Sequence, residues 1–153
     1  MGIDIISDEI NEIFFERKPI PVPYNYRIIY KLSQIVLIIN LSNRTGNCSV
    51  LKLHVLSSAL SSDEEMSRLV YFLENKVLVK YPFIRMEPAL NRAINYGLAE
   101  GIINQRNDGK IFVTNKGENL YNCLMEDLEI MVRDKEFLSK FGKKVTDKFL
   151  SIK

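Results

Sequence analysis

Asn91, Arg92 and Asn95 are spaced to share one side of a helix, and Arg106 and Lys110 follow on either side of an Asn-Asp-Gly turn. These residue types suit nucleic acid: a guanidinium or ammonium meets phosphate or a guanine edge, and a carboxamide meets an adenine edge. With Arg85 and Lys116 as further backbone contacts, the set describes a helix entering a groove beside a hairpin wing. Glu87, Glu100 and Asp108 lie among these residues and dilute the positive field on which counterion release depends. A solvated face, or a face that meets protein, therefore stands beside the DNA reading.

Catalysis finds less to work with. His54 is the single histidine, and its setting in KLHVLSS predicts a packed side chain. Ser57 and Ser58 lie too close in sequence to define a catalytic arrangement. Cys48 has no neighbouring histidine and Cys123 falls in an apolar helical pattern, so neither reads as an activated nucleophile. Asp63, Glu64 and Glu65 follow serines that can cap a helix, where acids complement the helix dipole; a helix start is preferred over a metal site. Neither a phosphate-cradling glycine loop nor a dinucleotide fingerprint occurs. The expectation is a protein with no catalytic residue, no metal and no cofactor.

The elements that would hold the recognition residues are mostly helical. YNYRIIYKLSQIVLIINL, residues 24–41, is apolar on most faces after its first turn and predicts a central helix covered on several sides. SNRTGN breaks it, and a helix resumes near Ser49 with Val50, Leu53, Leu56 or Ser57, and Leu60 inward. Ser61 or Ser62 caps the next helix, with Leu69, Phe72 and Leu73 inward. VLVKYPFIR, residues 77–85, reads as an edge strand or extended crossover because of Pro82. Pro88 then opens a helix that turns Leu90, Ala93, Ile94, Gly97 and Leu98 inward. GIINQR and KIFVT flank the turn as a β-hairpin. Asn115 is placed as the next cap with Glu118 at capping-box spacing, and Leu120, Leu124, Leu128 and Met131 as one apolar stripe.

A last helix is expected from Asp134, with Phe137, Phe141, Val145 and Phe149 recurring every four residues opposite Lys140, Lys143, Lys144 and Lys148. Packing on its own domain, tracking phosphate and docking on another protein all fit that pattern. As a docking helix it offers Phe137, Phe141, Lys144, Val145 and Phe149 to a partner.

The chain has 153 residues, 46% of them apolar, which is enough for one core with an added arm. Its net charge of +2 gives nucleic-acid binding little support in total. The ends differ in sign: residues 1–16 hold five acids and no base, whereas residues 133–153 hold seven bases against three acids. Three prolines in RKPIPVPY favour an extended connector. The start lacks the basic region of a signal peptide, and the apolar run 28–41 is too short to span a bilayer, so a cytoplasmic protein without membrane contact is expected. The fold class expected is mainly α with a small β-hairpin, a winged helix-turn-helix-like domain with added N- and C-terminal helices. Its divisions are an acidic segment and proline arm (1–23), the domain (24–132) and a basic amphipathic helix (133–153).

Two long stretches, YRIIYKLSQIVLIINLSNRTGNCSVLKLHVLSSAL and YPFIRMEPALNRAINYGLAEGIINQRNDGKIFVTNKG, resemble the small middle component of bacterial three-component conflict systems. Lamassu-type anti-phage defence is an example. The resemblance covers roughly residues 24–130 and rests on segment order, the Cys48-Ser49 helix start, Asn91-Arg92-Ala93 and the Thr114 to Gly117 turn. It implies a non-catalytic accessory subunit that bridges or regulates an SMC- or Rad50-like ATPase and an effector nuclease, with a winged-helix surface available to DNA, the ATPase or both. The alternative is a free-standing, dimeric winged-helix transcription regulator. The twelve residues VLVKYPFIRMEP between two candidate helices replace the usual tight turn and weigh against that alternative.

Overall fold

The computed structural model describes residues 27–75 and 87–150, a mainly helical arrangement with one small antiparallel sheet. Helix α1, Ile28–Ser42, is the axis. Every residue from Lys31 to Ile39 is buried, so the helix has no solvent face over that stretch. It packs against all the larger elements except the helix that follows Ser62. Ser42 Oγ bonds back to the Ile38 carbonyl, and Asn43 Nδ2 reaches the Ile39 carbonyl at 3.2 Å, so side chains occupy the carbonyls that the helix end leaves open.

Strand β1, Asn47–Cys48, follows in a segment that the sequence presents only as a breaker and a helix start. Helix α2, Val50–Ala59, is capped by Ser49, whose hydroxyl accepts from the Lys52 amide at 3.2 Å. The stripe expected on α2 is wider in the fold: Lys52 through Ser57 are all buried, while Val50 is only half-buried. Helix α3, Asp63–Asn75, is capped by Ser62, with Met66 and Leu69 buried and Phe72 and Leu73 half-buried.

Helix α4, Pro88–Ala99, has proline at its first position and buries Ala89, Leu90, Ala93, Ile94 and Gly97. It ends in a Schellman arrangement: Ile102 N donates to the Gly97 carbonyl at 2.9 Å and Gly101 N to that of Leu98 at 3.3 Å. Strands β2, Ile103–Gln105, and β3, Ile111–Val113, then form the expected hairpin, with Ile103 opposite Val113 and Gln105 opposite Ile111. Gly109 takes φ +87°, which its neighbours in the turn could adopt only with strain. β1 pairs with the other side of β3, so the sheet has three strands in the order β1-β3-β2.

Helix α5, Asn115–Glu126, corrects the expected cap by one residue. Thr114 is the cap: its Oγ1 accepts from Gly117 N at 3.3 Å while donating to the carbonyls of Gly101 and Ile102. This bridging between the helix start and the β2 approach is a tertiary contact, which the Asn115–Glu118 spacing cannot reveal. The apolar stripe also ends early. Leu128 is 84% exposed and Met131 adopts φ +51° in the link to the next helix, because α5 stops at Glu126.

The expected last helix is three pieces: α6, Val132–Phe141; a 3-10 turn, Gly142–Lys144; and α7, Asp147–Leu150. A Cβ at Gly142 would lie 2.7 Å from that of Ser42, so this point presses directly on the end of α1. The chain then bends to bury Val145 completely.

Candidate interaction surfaces

The outward face of α4 is as its sequence predicts: Asn91, Arg92, Asn95 and Tyr96 are exposed. The hairpin stands next to it through α4 and β2 contacts. The basic candidates around that face are matched by acids. Arg106 lies 3.5 Å from Asp108, Lys110 lies 3.4 Å from Asp147, and Lys116 lies 3.8 Å from Glu100 while donating to the Glu100 carbonyl at 2.9 Å. Such exposed pairs contribute little stability, but each lowers the local field offered to a phosphate. Arg92 has no ion pair among the described residues. Arg85 lies outside the described residues, as does the expected strand 77–85.

The C-terminal candidates divide. Phe137 and Val145 are buried in this chain's own core, and Phe141 and Phe149 pack against it. A partner could reach Phe137 or Val145 only by displacing that packing. Lys144 is exposed and lies with Lys140 over the Phe141 ring, each ammonium 5.3 Å from its centroid. The face left to solvent is therefore cationic rather than phenylalanine-rich.

Ser57 and His54 sit inside the packing. Ser57 belongs to a buried polar chain whose members Lys31 and Gln34 carry no signal in the local sequence pattern. Lys31 Nζ donates to Ser57 Oγ and to Glu87 Oε2, both at 3.0 Å. Gln34 Nε2 donates to Asp134 Oδ2 at 3.1 Å, and Tyr30 OH donates to the same oxygen at 2.9 Å. The Lys31–Ser57 contact ties α1 to α2. Buried polar groups persist where they are hydrogen-bonded, and these span α1, α2, the start of α4 and α6. Cys48 is buried as well, and that burial pushes its thiol up to about 11. Cys123 is exposed.

Sequence patterning also passed over Met125–Val132, which it absorbed into a helical stripe. Met125, Leu128, Ile130 and Val132 are all exposed there, among Glu126, Asp127 and Glu129. The segment is held rather than loose: Lys135 Nζ donates to the carbonyls of Leu124 and Asp127, and Glu129 N donates to Asp127 Oδ1 at 2.9 Å. Its signal in sequence was the acidic run EDLE interrupting the apolar period.

Among the described residues, no group of three His, Cys, Asp or Glu side chains could hold a metal, and no helix is long and apolar enough to cross a membrane. Compared with protein-family models, curated proteins and solved structures, the chain matches none.

Proposed function

We propose that this chain is a non-catalytic accessory subunit that bridges or regulates an SMC- or Rad50-like ATPase and its effector nuclease in a cytoplasmic anti-phage assembly. The order α1-β1-α2-α3-α4-β2-β3, with the strands arranged β1-β3-β2, fits a winged helix-turn-helix domain used for docking. The observation that carries the reading is the Met125–Val132 segment. It presents apolar side chains to solvent on a frame fixed by Lys135, so little ordering cost remains on binding. Its acidic flanks favour a partner surface with an apolar pocket and a basic rim.

The test is native affinity purification with the neighbouring gene products co-expressed, followed by mass measurement of the intact assembly. Recovery with a large coiled-coil ATPase is expected. Recovery only as a monomer or homodimer would sink the bridging reading, and a homodimer with salt-sensitive, sequence-selective DNA binding would replace it with the transcription regulator.

A further inference from the structure

Where α1 ends, separate stretches of chain enclose a cleft of about 320 Å³. Its walls are the loop after α1 with Asn47 of β1, Lys52 of α2, Lys110 at the foot of β3, and Lys143, Thr146 and Asp147 of the C-terminal segment. All the lining side chains are polar. Arg44, Lys52, Lys110 and Lys143 line the cleft together with Asp147, which makes four cations less one anion, a formal +3. The cleft adjoins β1, at the opposite edge of the sheet from β2 and α4.

Lys52 is the enclosed member, 5% exposed. Its Nζ donates to the Ser42 carbonyl at 2.6 Å and to Asn43 Oδ1 at 3.1 Å. An ammonium has three N–H donors, so one has no hydrogen-bond acceptor among the described residues. Burial lowers the pKa of this lysine, and an anion beside it would favour the charged form. The chain already places a carboxylate close by: Asp147 Oδ1 accepts from Ser49 Oγ at 2.8 Å, and Oδ2 lies 3.4 Å from Lys110 Nζ.

We propose that this cleft takes the phosphodiester backbone of a nucleic-acid strand, with Lys52, Lys110 and Lys143 holding phosphate and Asp147 competing for the same cations. The lining has no aromatic ring on which a free nucleotide could stack its base, whereas a backbone needs only donors and positive charge. Binding here is independent of base sequence, and it does not depend on the assembly reading.

Fluorescence anisotropy of labelled mixed-sequence DNA, duplex and single-stranded, with the full chain at low ionic strength tests it. Lys110→Gln with Lys143→Gln is expected to weaken binding about tenfold and to reduce the salt slope by about two. Asp147→Asn is expected to tighten binding by about threefold, the effect of removing one exposed repulsive charge. Arg92→Gln is expected to change binding by less than about twofold, since α4 packs at the β2 edge of the sheet, opposite the cleft, and a solvated charge there is screened. Circular dichroism melts establish that each variant is folded. The proposal is overturned by absence of DNA binding, by an unaffected lysine pair, by loss in the Arg92 variant instead, or by an Asp147→Asn variant that binds no tighter. Polyglutamate competing as well as DNA of equal charge would also overturn it, assigning the cleft to an acidic protein segment.

Discussion

Lys31 and Glu87 form an ion pair across 56 residues of chain, Nζ to Oε2 at 3.0 Å, with the lysine side chain fully enclosed and the glutamate 21% exposed. Glu87 stands at the N-cap of α4 yet makes no side-chain cap bond there. Its carboxylate is turned inward, so the pair locks the start of α4 to α1. Lys31→Ala is expected to destabilise the fold by about 3 kcal/mol, because it removes the ammonium from which Glu87 and Ser57 both accept and leaves the Glu87 carboxylate with only the Ser57 hydroxyl at 3.3 Å. Urea unfolding measures this, and a loss below about 1 kcal/mol would mean that water replaces the lysine readily.

Asp134 does the corresponding work for α6, accepting from Tyr30 and Gln34. Tyr30→Phe is expected to cost about 1 kcal/mol, and Asp134→Ala more, since it removes an acceptor shared by two side chains. In a double-mutant cycle the two changes should couple; simple additivity would show that the contact contributes nothing specific.

Gly117 should tolerate no side chain. A Cβ there would lie 2.2 Å from the Ile102 carbonyl oxygen and 2.4 Å from Val113 Cγ1. Alanine would gain about 1 kcal/mol in helix propensity, but relieving a backbone clash of that size costs more, typically about 1–3 kcal/mol and upward. Gly117→Ala is therefore expected to lower the melting temperature. A stabilised variant would mean that α5 can shift away from the sheet freely.

The two thiols should differ. At mildly alkaline pH a thiol reagent should titrate Cys123 quickly and Cys48 only on unfolding. Burial raises the Cys48 pKa from 9.0 to about 11, so between those values the unfolded chain has lost a proton that the folded chain keeps. Stability then falls as pH rises through that window, by about 2–3 kcal/mol in all. Lys52, with its lowered pKa, contributes the opposite slope in alkali. The comparison is therefore wild type against Cys48→Ala, whose difference should shrink from pH 9 to 11 and would stay constant if Cys48 did not titrate differently on folding.

Leu128→Asp is expected to leave the unfolding midpoint within about 0.5 kcal/mol of wild type, as for other exposed positions, while reducing recovery of the assembly. Loss of stability instead would show that Leu128 packs within its own chain in solution.

How much the sequence discloses depends on whether a feature is local. The inward and outward faces of α4 follow from helical spacing, and the hairpin from Asn-Asp-Gly, because each is set within a few residues. The long apolar run likewise marks α1 as central. What escapes local reading joins distant segments: Cys48 finding Ile111 to make β1, Thr114 finding the carbonyl of Ile102, and Gly142 meeting Ser42. The same holds for the surfaces. Arg92 and Asn95 are outward as their periodicity dictates, but the neutralising partner of Lys110 is Asp147, which no spacing rule brings to the hairpin. The four-residue recurrence of Phe137, Phe141, Val145 and Phe149 fits one straight helix equally well. The bend after Gly142 leaves Phe137 and Phe141 on α6, Val145 in the link beyond the 3-10 turn and Phe149 on α7.

The two-residue strand β1 bears on how the molecule comes apart. A hairpin of two three-residue strands is marginal in water on its own. β3 gains its second ladder only when Asn47 and Cys48, anchored by the end of α1, arrive from the far side of the sequence. The hairpin thus depends on tertiary contact and is not an independent unit of order. Its amides should exchange with solvent in concert with the opening of the α1 end, so any ligand gripping the hairpin would also reduce fraying at that distant helix terminus.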